Sequence, residues 1–225
     1  EYRRAVATID DMLKLEPPSS GRMHTGTTLM HRAWIKVLYL RDLTGARRDY
    51  ERALEFENAG AQGYAIFRYF YHLHAGEYQR ARDVVNAGLK VISPNFILTI
   101  DGSEAMKSGN YGTALEHFTK MAHPTPYIQY QTAWVYASTG QYSAAISSLN
   151  DLRTNCSVFE SGGGVYSEFV DLYPLSYHLE GTIYERTNER AKAIKSYETF
   201  LRLWRHADKD IPQYVEAKAR LAALR

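Results

Sequence analysis

At 225 residues and 45% hydrophobic content, the chain carries enough apolar side chain to bury the core of one large domain or of a repeat array. Its 27 basic and 25 acidic residues leave a net charge of +2, without the excess that marks a nucleic-acid or anionic-membrane binder. One cysteine, Cys156, excludes an intrachain disulfide framework and leans the location toward the cytoplasm; no run of about twenty apolar residues could span a membrane.

Residues 1–15 read as an amphipathic helix, because Tyr2, Ala5, Val6, Ile9, Met12 and Leu13 recur at three- and four-residue steps, and Pro17-Pro18 stops it. A polar loop is expected over 19–26, then a helix over 28–42, a turn at Thr44-Gly45 and a helix over 46–58. In that second helix Arg47, Arg48 and Arg52 interleave with Asp49, Glu51 and Glu55, the pattern of a solvated face rather than a phosphate patch. Helices are expected over 62–75 and 78–91, the latter ended by Ser93-Pro94. Further pairs follow at 95–107 and 111–122, then at 127–138 and 142–152. Residues 153–173 break the pattern and read as a flexible loop, containing Ser161-Gly162-Gly163-Gly164, followed by a helical extension that includes Tyr166–Leu172, since each glycine inside a helix costs about 1 kcal/mol against alanine. A first helix opened by Pro174, a second containing Ala193, Tyr197 and Phe200, and a final helix begun at Asp210-Ile211-Pro212 complete the chain. Asp210 is the candidate N-cap of that last helix, Val215, Ala219, Leu221 and Leu224 its apolar side, and Glu216, Lys218 and Arg220 its wet side.

One pattern recurs through these elements. Gly76-Glu77-Tyr78 leads to Ala81 and Val85, Gly109-Asn110-Tyr111 to Ala114 and Phe118, and Gly140-Gln141-Tyr142 to Ala145 and Leu149. The glycines lie 33 and 31 residues apart, and Asn188 stands in the same place before Ala193 and Tyr197. That period is the signature of a helical solenoid in which each antiparallel helix pair covers its apolar stripe with the next pair. Gly102, Ala133 and Gly181 are the small residues expected at close approach in the first helices, with Ala81, Ala114, Ala145 and Ala193 in the second. Val85, Phe118, Leu149 and Tyr197 are the knobs between them, and the turn glycines are placed for positive φ.

These residues resemble the tetratricopeptide repeat family over most of the chain. The resemblance implies an all-α, right-handed superhelical solenoid spanning 1–225. Its parts would be the second helix of an incomplete repeat (1–17), helix pairs at 28–59, 62–93, 95–123, 126–152 and 174–205, an insert at 153–173 and a capping helix at 210–225. Asp101 departs from the family pattern, which favours a large apolar residue there, and Trp34 crowds a place usually small. The tail, with Phe200, Trp204, Ile211-Pro212 and Glu216-Ala217, is similar to the end of such arrays in large bacterial regulators, where kinase or winged-helix domains precede them.

In that family the first helices line a concave groove. The correspondence puts Ile66, Phe70, Phe96, Thr99, Ser103, Tyr127, Tyr130, Trp134, His178, Thr182 and Glu185 toward it. Their aromatic content suits an apolar or mixed peptide segment. The implied function is a protein-protein interaction scaffold; the alternatives are a regulatory segment of a signalling protein and a module that self-associates through its open N-terminal end. The Lys/Asn set with which some members clamp a chaperone's terminal carboxylate is missing.

The sequence offers no chemistry to set against this. His72 and His74 are two apart and point to different sides of a helix, no histidine cluster has metal spacing, and the glycine run lacks the Lys-Ser/Thr ending of a phosphate loop. No catalytic residue, metal or cofactor is expected.

Overall fold

A computed structural model describes residues 2–15, 22–40, 42–56, 62–89, 93–121, 123–160 and 171–225. Among them all regular structure is helical. The first half holds α1 (Tyr2–Leu15), α2 (Arg22–Ile35, continued by a π-helical turn Lys36–Leu40), α3 (Leu43–Leu54), α4 (Gln62–Ala75), α5 (Tyr78–Val84, continued by a π-helical turn Val85–Leu89) and α6 (Asn95–Lys107). Then come α7 (Tyr111–Thr119), α8 (Pro126–Ser138), α9 (Tyr142–Glu160), α10 (Leu172–Arg186), α11 (Arg190–Leu203) and α12 (Pro212–Leu224). The chain divides into two compact units, 1–100 and 101–225, the division falling inside α6. In the first unit α2 pairs with α3 and α4 with α5, while α1 and α4 both pack on α2. In the second, α8 pairs with α9 and α10 with α11, α10 packs on α8 and α9, and α12 packs on α11.

The four turns that the repeat pattern marks share one geometry. Gly76, Gly109, Gly140 and Asn188 all have positive φ, between 58° and 79°. The next residue in each case donates its N–H five residues back: Glu77 to His72, Asn110 to Ala105, Gln141 to Tyr136 and Glu189 to Tyr184, at 2.8–2.9 Å. This is the Schellman closure, which satisfies the last carbonyls of one helix as the chain reverses into the next.

Close approach explains the small residues. A Cβ added to Gly102 would lie 2.3 Å from the Phe118 ring, and one added to Gly181 would lie 2.7 Å from the Tyr197 ring. The second-helix alanines 81, 114, 145 and 193 are fully buried, and so are Val85, Leu149 and Tyr197 beside them. Ala33 and Ala133, both fully buried, hold the place of Gly102 and Gly181 in α2 and α8. The crowding expected of Trp34 is therefore displaced by one residue, because Ala33 takes the tight place.

Several boundaries differ from the sequence reading. Helix α2 begins at Arg22, not at 28, and Gly26 is buried within it. Helix α3 begins at Leu43 because the Asp42 carboxylate accepts the N–H of Gly45 at 2.8 Å, so Thr44-Gly45 lies in the first turn of the helix rather than in a loop. Spacing explains the shift. From close-approach residue to second-helix alanine there are 12 positions for Gly102, Ala133 and Gly181, but 13 for Ala33 and Ala46. The π-helical turn at Lys36–Leu40 absorbs the extra residue, closed by the Asp42 N–H donating to the Lys36 carbonyl at 3.0 Å. Helix α9 runs on to Glu160 where a loop from 153 was expected, and helix α7 stops at Thr119. The glycine run 162–164 and Pro17-Pro18 lie outside the described residues.

At the C-terminus the N-cap position of α12 is Ile211, not Asp210. The helix buries Ala217 and Leu221 and turns Val215, 51% exposed, to solvent. Glu216 and Arg220, expected in water, face α10. The Arg220–Glu185 ion pair, described below, holds that side of α12 against α10.

Candidate functional site

The residues predicted to line a groove fall on the first helices, and the structure sorts them by burial. Thr99, Ser103 and His178 are buried. Thr99 donates its hydroxyl back to the Asn95 carbonyl at 2.8 Å, an internal bond that leaves little to offer a ligand. Ile66, Phe70 and Phe96 are partly buried in the first unit, and Tyr127, Tyr130, Thr182 and Glu185 in the second. Trp134 is the exposed member of the set, at 37%.

In the first unit an aromatic layer forms around Phe70. Trp34 stacks on it with centroids 5.3 Å apart and planes 26° apart; His74 lies parallel to it at 6.2 Å, and Tyr69 meets it edge-on at 5.0 Å. Phe67 joins Trp34 at 6.3 Å and His31 at 4.9 Å, and Phe96 rests on Tyr69 at 4.8 Å. Offset and edge arrangements of this kind follow the ring quadrupoles. Burial pushes the His74 imidazole down to about 4 and lowers His31, so the layer is uncharged at neutral pH. The expected groove set includes Phe70 and Phe96 but not His31, Phe67 and His74, which lie off the helix positions used to draw it.

In the second unit the layer is thinner. Tyr130 packs against the cluster of Ala133, Ala137, Leu149 and Leu179, and its phenol is pushed up to about 12, chiefly by burial and then by the Glu216 charge. Tyr127 and Tyr130 also cover Leu152 and Leu172. Trp134 meets Tyr111 of α7 edge-on at 5.8 Å. Glu185 is engaged within the fold: it accepts from the Tyr197 hydroxyl at 2.5 Å and from Arg220 of α12 at 3.1 Å. Burial, with the Glu185 bond second, drives the Tyr197 phenol strongly upward, so it stays a donor. Glu216 lies 3.5 Å from Nε2 of His178, too far for a hydrogen bond to a neutral ring but close enough to pair with a protonated one.

Beneath these faces run polar contacts that the sequence hid. Asp49, read as part of a solvated face, is only 4% exposed and receives Arg32 at 2.6 Å and Lys36 at 2.7 Å; Arg32 also reaches Asp10 of α1. In the second unit Glu180 occupies the Arg32 place, one residue before the close-approach residue. It receives Arg153 of α9 at 2.7 Å and the Ser196 hydroxyl at 2.7 Å. Ser196 stands in α11 where Asp49 stands in α3, three residues past the alanine. Both links therefore tie a first helix to the second helices on either side, with charge signs reversed. A third link joins the Tyr50 hydroxyl to Nε2 of His72 at 2.8 Å, and His72 Nδ1 to Glu77 at 2.7 Å. A carboxylate only accepts, so Nδ1 carries the proton and Tyr50 donates. Burial lowers His72 below its usual value although the Glu77 bond works the other way.

Among the described residues no group of three His, Cys, Asp or Glu side chains is arranged to hold a metal ion, and no helix is long and apolar enough to cross a membrane. The Tyr50–His72–Glu77 relay has the order of a hydroxyl–imidazole–carboxylate triad, but Tyr50 and His72 are both buried, which keeps a substrate from the hydroxyl.

A family model described as tetratricopeptide repeat matches residues 175–203, which span most of α10 and all of α11. No curated protein matches the chain.

Proposed function

We propose that this chain, which carries a tetratricopeptide repeat over 175–203, is a non-catalytic scaffold that binds a protein partner on the exposed aromatic side of its first helices. The observation that carries this reading is the match itself together with helix pairs built on the same pattern: Gly102 against Phe118, Gly181 against Tyr197, and four Schellman turns in register. Repeats of this kind build rigid surfaces from stacked helix pairs, and a rigid surface binds without first having to be ordered. Trp134 supports placing the partner on the first helices. A large aromatic side chain that stays 37% exposed on a packed helix is a residue type that dominates interface energetics. The polar links support rigidity, since they fix α2 and α10 each between two second helices.

The test is capture of partners from native lysate by the intact chain and by two exposed-site variants with unchanged circular dichroism. Trp134→Ala on α8 is expected to lose the captured protein; Arg48→Glu on the exposed side of α3 is expected to keep it. A partner retained by Trp134→Ala and lost by Arg48→Glu would move the binding surface to the second helices.

A further inference from the structure

The dipeptide Ala-Trp occurs twice at one position of the repeat: Ala33-Trp34 in α2 and Ala133-Trp134 in α8. Each alanine is fully buried and holds the close-approach place. The two tryptophans nevertheless meet different surroundings, because the next first helix differs. In α4 the matching position is Phe70, and Trp34 stacks on it at 5.3 Å, with His74 continuing the stack at 6.2 Å. Trp34 is left 7% exposed. In α10 the same two positions are Thr182 and Arg186. The Thr182 hydroxyl donates to the Leu179 carbonyl at 2.7 Å and Arg186 donates to the Ala137 carbonyl at 3.1 Å, so both are turned to backbone acceptors. Neither position offers Trp134 a ring, and Trp134 is 37% exposed.

We propose that Trp134 is the docking point for an aromatic side chain of a partner protein, which takes over Thr182 the place that Phe70 takes against Trp34. This rests on the protein-binding reading and names the chemistry of what binds. The intramolecular pair is the template: the same helix position, the same dipeptide and a neighbouring first helix, with the ring supplied in one unit and missing in the other. The charge of the helix agrees. Helix α8, Pro126–Ser138, contains no charged residue, so a ring docked on it desolvates no charge there; the charge of α10 at the matching positions is that of Arg186, which is tied to the Ala137 carbonyl. Thr182 is shorter than the phenylalanine it stands in place of, and Tyr111 already meets the indole edge-on, so less side-chain freedom is lost on docking. An aromatic pair adds about 0.5–1.5 kcal/mol beyond its apolar area, which corresponds to roughly two- to tenfold tighter binding than an aliphatic side chain of similar size.

The experiment uses the intact chain labelled with nitrogen-15 and follows its three indole N–H signals, from Trp34, Trp134 and Trp204. The probes are blocked pentapeptides, acetyl-Gly-Ser-Xaa-Ser-Gly-amide, in which Xaa is Phe, Tyr, Leu, Lys or Glu. The Phe and Tyr peptides are expected to shift the Trp134 signal selectively, with the Leu peptide binding two- to tenfold more weakly and the Lys and Glu peptides leaving it in place. Thr182→Phe rebuilds the Trp34–Phe70 pair from within. It is expected to shield Trp134 from acrylamide quenching and to abolish the Phe-peptide shift, and Thr182→Leu is expected to do so in part if the larger residue does not fold. The proposal is overturned if no peptide moves the Trp134 signal or if Leu, Lys or Glu moves it as strongly as Phe. Continued binding of the Phe peptide at Trp134 in a folded Thr182→Phe protein would overturn it as well. Should the peptides fail while Trp134→Ala still loses the captured partner, the aromatic occupant is wrong and the binding surface stands; should Trp134→Ala retain the partner, the surface itself is wrong.

Discussion

At the scale of single residues the fold depends on what is missing from the side chain. Gly102 and Gly181 let two helices close onto the rings of Phe118 and Tyr197, and no other residue type fits without moving them. Alanine would improve helix propensity by about 1 kcal/mol at either site, but overpacking a filled core costs about 1–3 kcal/mol. Phe118 is 2% exposed and has nowhere to go, so the second effect wins. Gly102→Ala is expected to lower stability by up to about 2 kcal/mol in urea unfolding; a raised midpoint would show that the ring yields freely. Histidine burial makes a second residue-scale prediction. His31, His72, His74 and His178 all titrate below their ordinary value of 6.5, each chiefly because burial disfavours the imidazolium. For His178 the Glu216 carboxylate opposes that and Arg220 assists it. The unfolded chain therefore takes up protons before the folded one. This stability is fully present above pH 6.5 and is lost as pH falls below it, and for His74 the loss continues to about pH 4. The urea midpoint is expected to fall between pH 7.5 and pH 5, and His74→Gln is expected to flatten the fall, at up to about 1.4 kcal/mol per pH unit for that one group.

At the scale of helices, the turn and small-residue pattern was legible because it is local. A glycine, a tyrosine two on and an alanine five on fix a Schellman turn and the first contact of the following helix. Asn188 could be placed by the same offsets, since asparagine tolerates positive φ. The polar links were not legible. Helical periodicity assigns Asp49 among arginines to water, yet Arg32, seventeen residues earlier, reaches it only after α2 folds onto α3. Nor was the start of α2, since Gly26 reads as a loop residue until its burial is seen. The one-residue excess between Ala33 and Ala46 could have been counted, but a π-helical turn and a longer loop absorb it equally well on paper. The reversed signs of the Asp10–Arg32–Asp49 and Arg153–Glu180–Ser196 links yield a prediction at this scale. Removing one member strands the other in the interior, at about 3 kcal/mol, whereas exchanging the signs keeps the pair. Glu180→Ala is expected to lose about that amount in urea unfolding, and Arg153→Glu with Glu180→Arg to recover at least half. A double variant no better than the single would mean that Ser196 and Asn150, which also bond to this pair, set its polarity.

For the whole molecule, composition and the repeat pattern set the helical class, and the tetratricopeptide repeat over 175–203 suggests a protein-interaction role in general terms. On the proposed protein-binding reading, a near-neutral chain of helix pairs carries its information in which side chains its first helices expose. The residues expected to line a groove lie on first helices and differ in exposure, because a repeat pattern fixes a position on a helix but not what the neighbouring helix places over it. Phe70 covers Trp34, α12 engages Glu185 and lies against His178, and the position of α10 that matches Phe70 is Thr182, which has no ring to lay on Trp134. The measurement that reaches the central claim most directly is hydrogen exchange, followed by mass spectrometry, on the chain alone and with its captured partner. Added protection concentrated in α8 and α10, with α9 and α11 unchanged, is the predicted result. Protection confined to α9 and α11 would contradict the account and place the partner on the second helices.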